Sequence, residues 1–456
     1  LINFAQCIFI LNNYYLIIMK TMQPKLNHKR VLSVAIPIVL SNATVPILGV
    51  VDTAVIGQLG QAVLIGAVGI GAIIITAIYW IFGFLRMGTT GLTAQAIGAG
   101  DKSETSALLI RALIIGFGAG FFFIAVQLPL LWGAFQLAPA SEEVEAFAKN
   151  YLQIRIYSAP AAIAIFGITG WLIAQERTRA VLLLQLLMNG VNIVLDFFFV
   201  LQLGWGVEGV AIATLIAEWS GLALGLWMVR DGFNVVYWKN WIQIFDRARL
   251  WRMAEVNGDI MIRSILLQAG FVIFMFLGSS FDDVILAANQ VLIQFLHITA
   301  YALDGFAFAA EALVGQALGA KNRGLLRRSV VITSQWGVVL VILMASTFFV
   351  FGDKVIHTMT TAQDVRMASY EYLPWVIFAP LAGVAAWMLD GVFIGATRTG
   401  DMRNMMFVSF SIYLVALVVL LPSFGNHGLW AAMIIFYIVR GVTLGFKYPH
   451  IESSAD

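Results

Sequence analysis

Residues 65–100 read IGAVGIGAIIITAIYWIFGFLRMGTTGLTAQAIGAG, and residues 286–321 read LAANQVLIQFLHITAYALDGFAFAAEALVGQALGAK. The two align without a gap at an offset of 221, which sets QAIGA at 95–99 on QALGA at 316–320. The same offset carries TGWLIAQERT at 169–178 onto DGVFIGATRT at 390–399. Two apolar helices often resemble each other by chance, but one offset held across more than a hundred residues marks an internal duplication.

Working outward from that repeat, apolar runs between breakers predict spans at 31–57, 62–86, 104–132, 146–174, 179–202 and 206–230. A second set follows at 252–279, 284–310, 326–352, 366–396, 403–422 and 427–446. Each is long enough to cross a hydrocarbon core that takes about 20 helical residues. With 61% hydrophobic and 11% charged residues and a mean hydropathy of +0.89, the chain is far too apolar for a water-soluble domain. The expected fold is therefore an all-α membrane protein, with twelve transmembrane helices in two six-helix bundles. An even number of helices per half gives parallel repeats related by a pseudo-two-fold axis along the membrane normal. Segments 87–100 and 311–321 are expected to continue the second helix of each half past a Gly-rich bend.

The resulting division is an N-lobe at 31–230, a basic and aromatic linker at 231–251, a C-lobe at 252–448 and a tail at 449–456. Residues 1–30 are expected to be a non-native or cytoplasmic leader. Its opening LINFAQCIFILNNYYLII (1–18) has no Met at its head and reads as translated upstream sequence, with Met19 or Met22 as the initiator. Cys7, the single cysteine, lies there, so neither a disulfide framework nor a cysteine-ligated metal site is expected. Lys and Arg concentrate in alternate loops, from Lys29 and Arg30 through Lys102, Arg177, Arg249, Lys321 and Arg398 to Lys447. That bias predicts both termini in the cytoplasm.

An ionisable group inside a span costs several kcal/mol and needs a partner, a wet cavity or a function. Asp52 lies in the first span; Asn189, Asn192 and Asp196 stand at i, i+3 and i+7 on one face of the fifth. Thr214 on the sixth could add a hydroxyl. The repeat acts as a control, because at the same offset Asp52 becomes Ile273, Asn189 Phe410, Asn192 Tyr413 and Asp196 Leu417. Two carboxylates in one low-dielectric cavity cannot both ionise cheaply, so the pair suits a proton; with both ionised, Asn192 and Thr214 could complete an oxygen cage for Na⁺. The residues leave that choice open. Pro37 and Pro46 each remove a backbone donor from the first helix, so a bend is expected there. In the second half, Glu255 and Asp259 are expected to be structural, with Arg263 able to neutralise an acid. Glu311 is a further acid of the eighth helix, and Asp304 and Asp390 are candidates for a second cation or a substrate contact. No GxxxxGK[ST] phosphate loop and no His cluster is present, which argues against an ATP-driven pump or an enzyme.

AIPIVLS at 35–41 and VVDTAVIGQLG at 50–60, QAIGAG at 95–100 and NIVLD at 192–196 resemble the multidrug and toxic compound extrusion (MATE) family, in its DinF-like branch. The resemblance runs from about residue 30 to 448. It implies two bundles around a V-shaped cavity and export of small cationic or lipophilic compounds from a bacterial inner membrane. Inward flow of H⁺ or Na⁺ would drive that export, with no other cofactor, no nucleic-acid partner and a monomer surrounded by lipid. It also implies that Asp52 is the family's first-helix acid, Asp196 and Asn192 its fifth-helix acid and amide, Thr214 its sixth-helix hydroxyl and Pro37 the proline linked to bending. The NorM-like branch instead uses acids in the seventh, eighth and tenth helices, where Asp390 departs from the pattern. The rival reading is a flippase for lipid or polyprenyl-linked precursors. Such a cavity would carry several Arg or Lys, whereas the candidate cavity here is expected to be acidic.

Overall fold

The computed structural model describes residues 26–137, 141–233 and 240–455. Met19, Met22, Cys7 and Lys239 lie outside them. Among the described residues eleven helices are long and apolar enough to cross a membrane, and the last, Thr399–Ser453, is broken at Gly425 (φ 52°, ψ −131°). Dividing it there gives the twelve expected. Among the described residues there is no strand.

We label them α1 (His28–Gly57), α2 (Ala62–Trp80 and Gly83–Gly98), α3 (Lys102–Ala125), α4 (Glu142–Arg155 and Ala159–Ala174), α5 (Thr178–Asp196) and α6 (Gly206–Met228). The second half has α7 (Arg247–Gly278), α8 (Asp283–Gly319), α9 (Arg323–Met359), α10 (Gln363–Gly395), α11 (399–424) and α12 (426–453). Residues 87–98 and 311–319 do continue α2 and α8. The interruption in α2 falls at Ile81 and Phe82, before the glycines, and α8 has none.

The duplication is visible in backbone detail. Asp101 caps α3 by accepting from the Glu104 amide at 2.9 Å, and Asn322, 221 residues on, caps α9 by accepting from Leu325 at 2.9 Å. Left-handed residues recur in register: Gly100 (φ 74°) matches Lys321 (φ 49°), and Glu176 (φ 59°) matches Thr397 (φ 49°). A non-glycine residue pays strain there, so the turn geometry, not residue preference, has been kept.

The two halves meet along α2 and α8 at their Lys- and Arg-rich ends, where the repeated glycines permit backbone contact. A Cβ on Gly98 would lie 2.0 Å from the Gln316 carbonyl oxygen, and one on Gly319 would lie 2.0 Å from that of Gln95. The side chains cross the same seam. Gln95 Nε2 donates to the Gly395 carbonyl (3.1 Å) and Thr397 (3.0 Å), while Gln316 Nε2 donates to the Ala174 carbonyl (2.9 Å). Arg252 donates to Gln95 Oε1 at 2.9 Å, and Arg30 donates to Gln316 Oε1 at 3.2 Å. Each half thus grips the α4–α5 or α10–α11 turn of the other.

α1 runs as one helix through Pro37 and Pro46. Pro37 leaves the Ser33 carbonyl without its helical donor, and Thr178 Oγ1 at the start of α5 donates to it at 3.4 Å. The helix is otherwise unbroken past both prolines.

Gly98→Val should prevent the seam from closing, because the colliding atom is backbone. Overpacking of this kind costs about 1–3 kcal/mol. Thermal unfolding should show the loss, and spin labels on cysteines introduced at 102 and 321 should report longer distances. Gly118→Ala, with open space at its Cβ, should change neither.

Candidate functional site

Asp52 on α1 and Asp196 on α5 come together beneath α6. Asp196 is fully buried, Asn192 is 1% exposed and Asp52 is half-buried. The Asn192 side chain bridges the two carboxyls. The Asn192 amide is set with its nitrogen toward them, the orientation in which each of its atoms finds a complementary partner. It donates to Asp52 Oδ1 at 3.2 Å and to Asp196 Oδ2 at 3.0 Å, and its oxygen accepts from Thr214 Oγ1 at 3.0 Å. Asp196 Oδ1 is buried with no partner. α5 passes from α to a π-helical turn at Phe197–Gln202, directly after Asp196. Such turns widen a helix locally and recur at functional sites.

Four of the five expected site residues therefore share one cluster. Asn189 does not join it. Its Nδ2 donates to Thr44 Oγ1 on α1 at 2.9 Å, and its Oδ1 accepts from Gln185 at 3.0 Å, so it ties α5 to α1 two turns away.

Sequence reasoning passed over the ion pair beside this cluster. Buried Arg155 on α4 binds Glu218 on α6 through two hydrogen bonds (2.9 and 3.1 Å), and its carbonyl accepts from the Tyr79 hydroxyl at 3.1 Å. Both ionisable residues stand inside predicted spans, and that was the available signal.

A second cluster lies between the halves around a cavity of about 300 Å³. Asp304, Glu311 and Asp390 all line it, as do Arg86, Arg263 and Arg440. Arg86 forms a two-pronged pair with Glu311 (3.0 and 3.3 Å) and stacks on Phe308 at 3.7 Å. Arg263 and Arg440, the latter at 2.7 Å, both donate to Asp390 Oδ2. Arg263 thus neutralises Asp390, across to α10, and neither acid of its own helix. Asp259 takes Thr399 (3.0 Å) and Arg403 (2.5 Å) near the Lys- and Arg-rich end, while Glu255 is exposed. The expectation of an acidic cavity fits the Asp52 cluster alone; the central cavity holds three guanidiniums against three carboxylates.

A family model, MatE, matches this chain twice, over residues 37–198 and 260–420. The chain belongs to the MATE family, in its DinF-like branch. The two matches fall one in each half of the duplication. The DNA damage-inducible protein F of Escherichia coli (strain K12) is 38% identical over 411 residues, covering 90% of this chain and 89% of that protein. Protein DETOXIFICATION 44, chloroplastic, of Arabidopsis thaliana is 25% identical over 425 residues, covering 90% and 80%. Among solved structures, the Vibrio cholerae MATE transporter VcmN in the bent form superposes with a TM-score of 0.84 at 22% identity, covering 94% of this chain and 97% of that one. This MATE chain is accordingly a membrane protein with the family's two-lobe, all-helical fold, and its family and neighbours are transporters.

Asn192→Leu and Asn189→Leu should separate the two roles. Either removes an interhelical polar contact and should lower thermal stability in nonionic micelles, by about 0.5–2 kcal/mol for Asn189. Asn192→Leu also strips both carboxyls of their shared donor, so the pH profile of efflux should shift in that variant and stay in place for Asn189→Leu.

Proposed function

We propose that this MATE protein is a proton-coupled antiporter of the bacterial inner membrane, with both termini cytoplasmic, exporting an amphipathic compound by alternating access. One observation carries the reading. Of the four buried carboxylates among the described residues, Asp259, Glu311 and Asp390 each hold an arginine, and Asp196 instead shares the Asn192 amide with a second carboxyl, that of Asp52. Two acids so close resist ionising together, so the pair keeps a proton that a structural role would not need. The repeat supports this, since Ile273 and Leu417 occupy the equivalent positions.

With its nitrogen toward them, the Asn192 amide holds the proton-sharing pair through one hydrogen bond to each carboxyl. In the proposed cycle the pair loads a proton from outside with the seam at Gly98 and Gly319 closed. The proton leaves inward once the seam opens, and the substrate moves the other way. Arg155 stays occupied by Glu218, which keeps its charge from binding the pair permanently.

The flippase reading draws its support from Arg86, Arg263 and Arg440 in the central cavity. A flippase needs no proton at Asp52, so the same experiment separates the two. In proteoliposomes with ΔpH and ΔNa⁺ imposed separately, ΔpH alone should drive efflux of an amphipathic dye. Asp52→Asn should reduce that efflux by about 5–150-fold, the range of ordinary coupling energies. Intact ΔpH-driven efflux in Asp52→Asn, or drive by ΔNa⁺ alone, would remove the proton reading.

A further inference from the structure

The central cavity uses its charges unevenly. Arg86 is fully engaged by Glu311 and Phe308. Arg263 and Arg440 are 6% and 3% exposed, yet each makes a single hydrogen bond, both to the same oxygen of Asp390. A guanidinium carries five N–H donors, so most of what these two offer is unspent. Both Nε groups are buried without an acceptor. Buried donors of this kind are ordinarily satisfied, so a group inside the cavity they line can complete them; Asp390 Oδ1 is buried without a partner beside them. With one carboxylate between two guanidiniums, this end of the cavity has a surplus positive charge. The balancing charge is Asp304, which lines the same cavity and has no hydrogen bond or ion pair among the described residues. It lies two turns along α8 from Glu311, about 10 Å at 1.5 Å per residue.

Three helices then grade from charged to apolar in the same direction. α2 runs from Arg86 back to Trp80 and Ile73, α7 from Arg263 to Gln268 and Val272, and α8 from Glu311 through Asp304 back to Tyr301 and His297. At the apolar end they line a second space of about 910 Å³, which shares Trp80, Gln268, His297 and Tyr301 with the charged one. Ile73 and Val272 there are 71% and 55% exposed.

We propose that these two spaces form one binding site for a zwitterionic amphiphile. Its acidic group lies on Arg263 and Arg440, its cationic group faces Asp304, and its tail lies in the apolar vestibule between α2, α7 and α8. Planar guanidiniums suit the two oxygens of a phosphate or carboxylate, and a lone carboxylate beside aromatic rings suits an ammonium. The proposal rests on the transporter reading and names the substrate class that the exporter would carry.

The test uses the full chain in dodecyl maltoside micelles, whose head group is uncharged. Three probes share a brominated twelve-carbon tail and differ in the head: phosphocholine, trimethylammonium and phosphate. Binding is read as quenching of tryptophan fluorescence that is lost in Trp80→Phe. The phosphocholine probe should bind about tenfold tighter than either probe whose head carries charge of one sign, the worth of one charge-assisted contact. Asp304→Asn should bring it down to the level of the phosphate probe. Arg440→Gln should bring it down to the level of the trimethylammonium probe, and Arg440→Lys, which keeps the charge and the pair with Asp390, should bring it partway. Equal binding of all three heads, tightest binding of the trimethylammonium probe, or an order unchanged in both Asp304→Asn and Arg440→Gln would overturn the assignment. No gradient is present in these measurements, so they stand or fall apart from the ΔpH result for Asp52→Asn.

Discussion

A charge held inside a bilayer must be matched, and that constraint organises this molecule. Each buried arginine of the described spans has a carboxylate: Arg86 has Glu311, Arg111 has Glu104, Arg155 has Glu218, and Arg263 and Arg440 share Asp390. Such pairs contribute little net stability, because desolvating two ions offsets most of their attraction. What they do impose is geometry, since breaking one strands the other. Arg86 with Glu311 and Gln95 with Gly395 and Thr397 join the halves, whereas Arg155 with Glu218 lies wholly within the first. Against so complete a matching, the few groups left over acquire meaning. They are the Asp52 and Asp196 pair, the spare donors of Arg263 and Arg440, and Asp304.

Much of this was legible in the sequence because the duplication is regular. Apolar runs located the helices, and one offset of 221 paired Gln95 and Gly98 with Gln316 and Gly319, which the structure sets at the seam. It also isolated Asp52, Asn192 and Asp196 as polar groups that the second half does without. Helical periodicity put Asn192 and Asp196 on one face, which is a local property. The same periodicity put Asn189 on that face, but a face two turns long meets different neighbours along its length, and Thr44 stands opposite Asn189 where Asp52 stands opposite Asp196.

The central cavity was not legible, for a related reason. Its partners are far apart in the chain: Arg86 and Glu311 are separated by 225 positions, and Arg263 and Asp390 by 127. Sequence spacing says which residues of one helix share a face and nothing about which helix that face meets. Arg263 has acids one and two turns away on its own helix, the local pairing that favours exposed helices. It takes Asp390 instead, because α7 turns it inward to α10 while Asp259 faces the start of α11.

α1 connects the two sites physically. Near one end it carries Asp52. Near the other, Ala35 and Val39 pack so tightly on α8 that a Cβ on Gly305 would lie 2.4 Å from Val39 and 2.8 Å from the Ala35 carbonyl oxygen. Pro37 sits inside that contact, where the helix already lacks a hydrogen bond and leans on Thr178 for a substitute. A helix deforms most cheaply where its ladder is already open. On the proton-coupled reading, a change in the hold that Asp196 and Asn192 have on Asp52 is therefore expressed at Pro46 and Pro37 before elsewhere in α1. Any such movement slides Ala35 and Val39 against α8, one residue from Asp304 and two turns from Glu311. The second half needs no proton site of its own for this, which gives a physical reason why Ile273 and Leu417 suffice at the positions of Asp52 and Asp196.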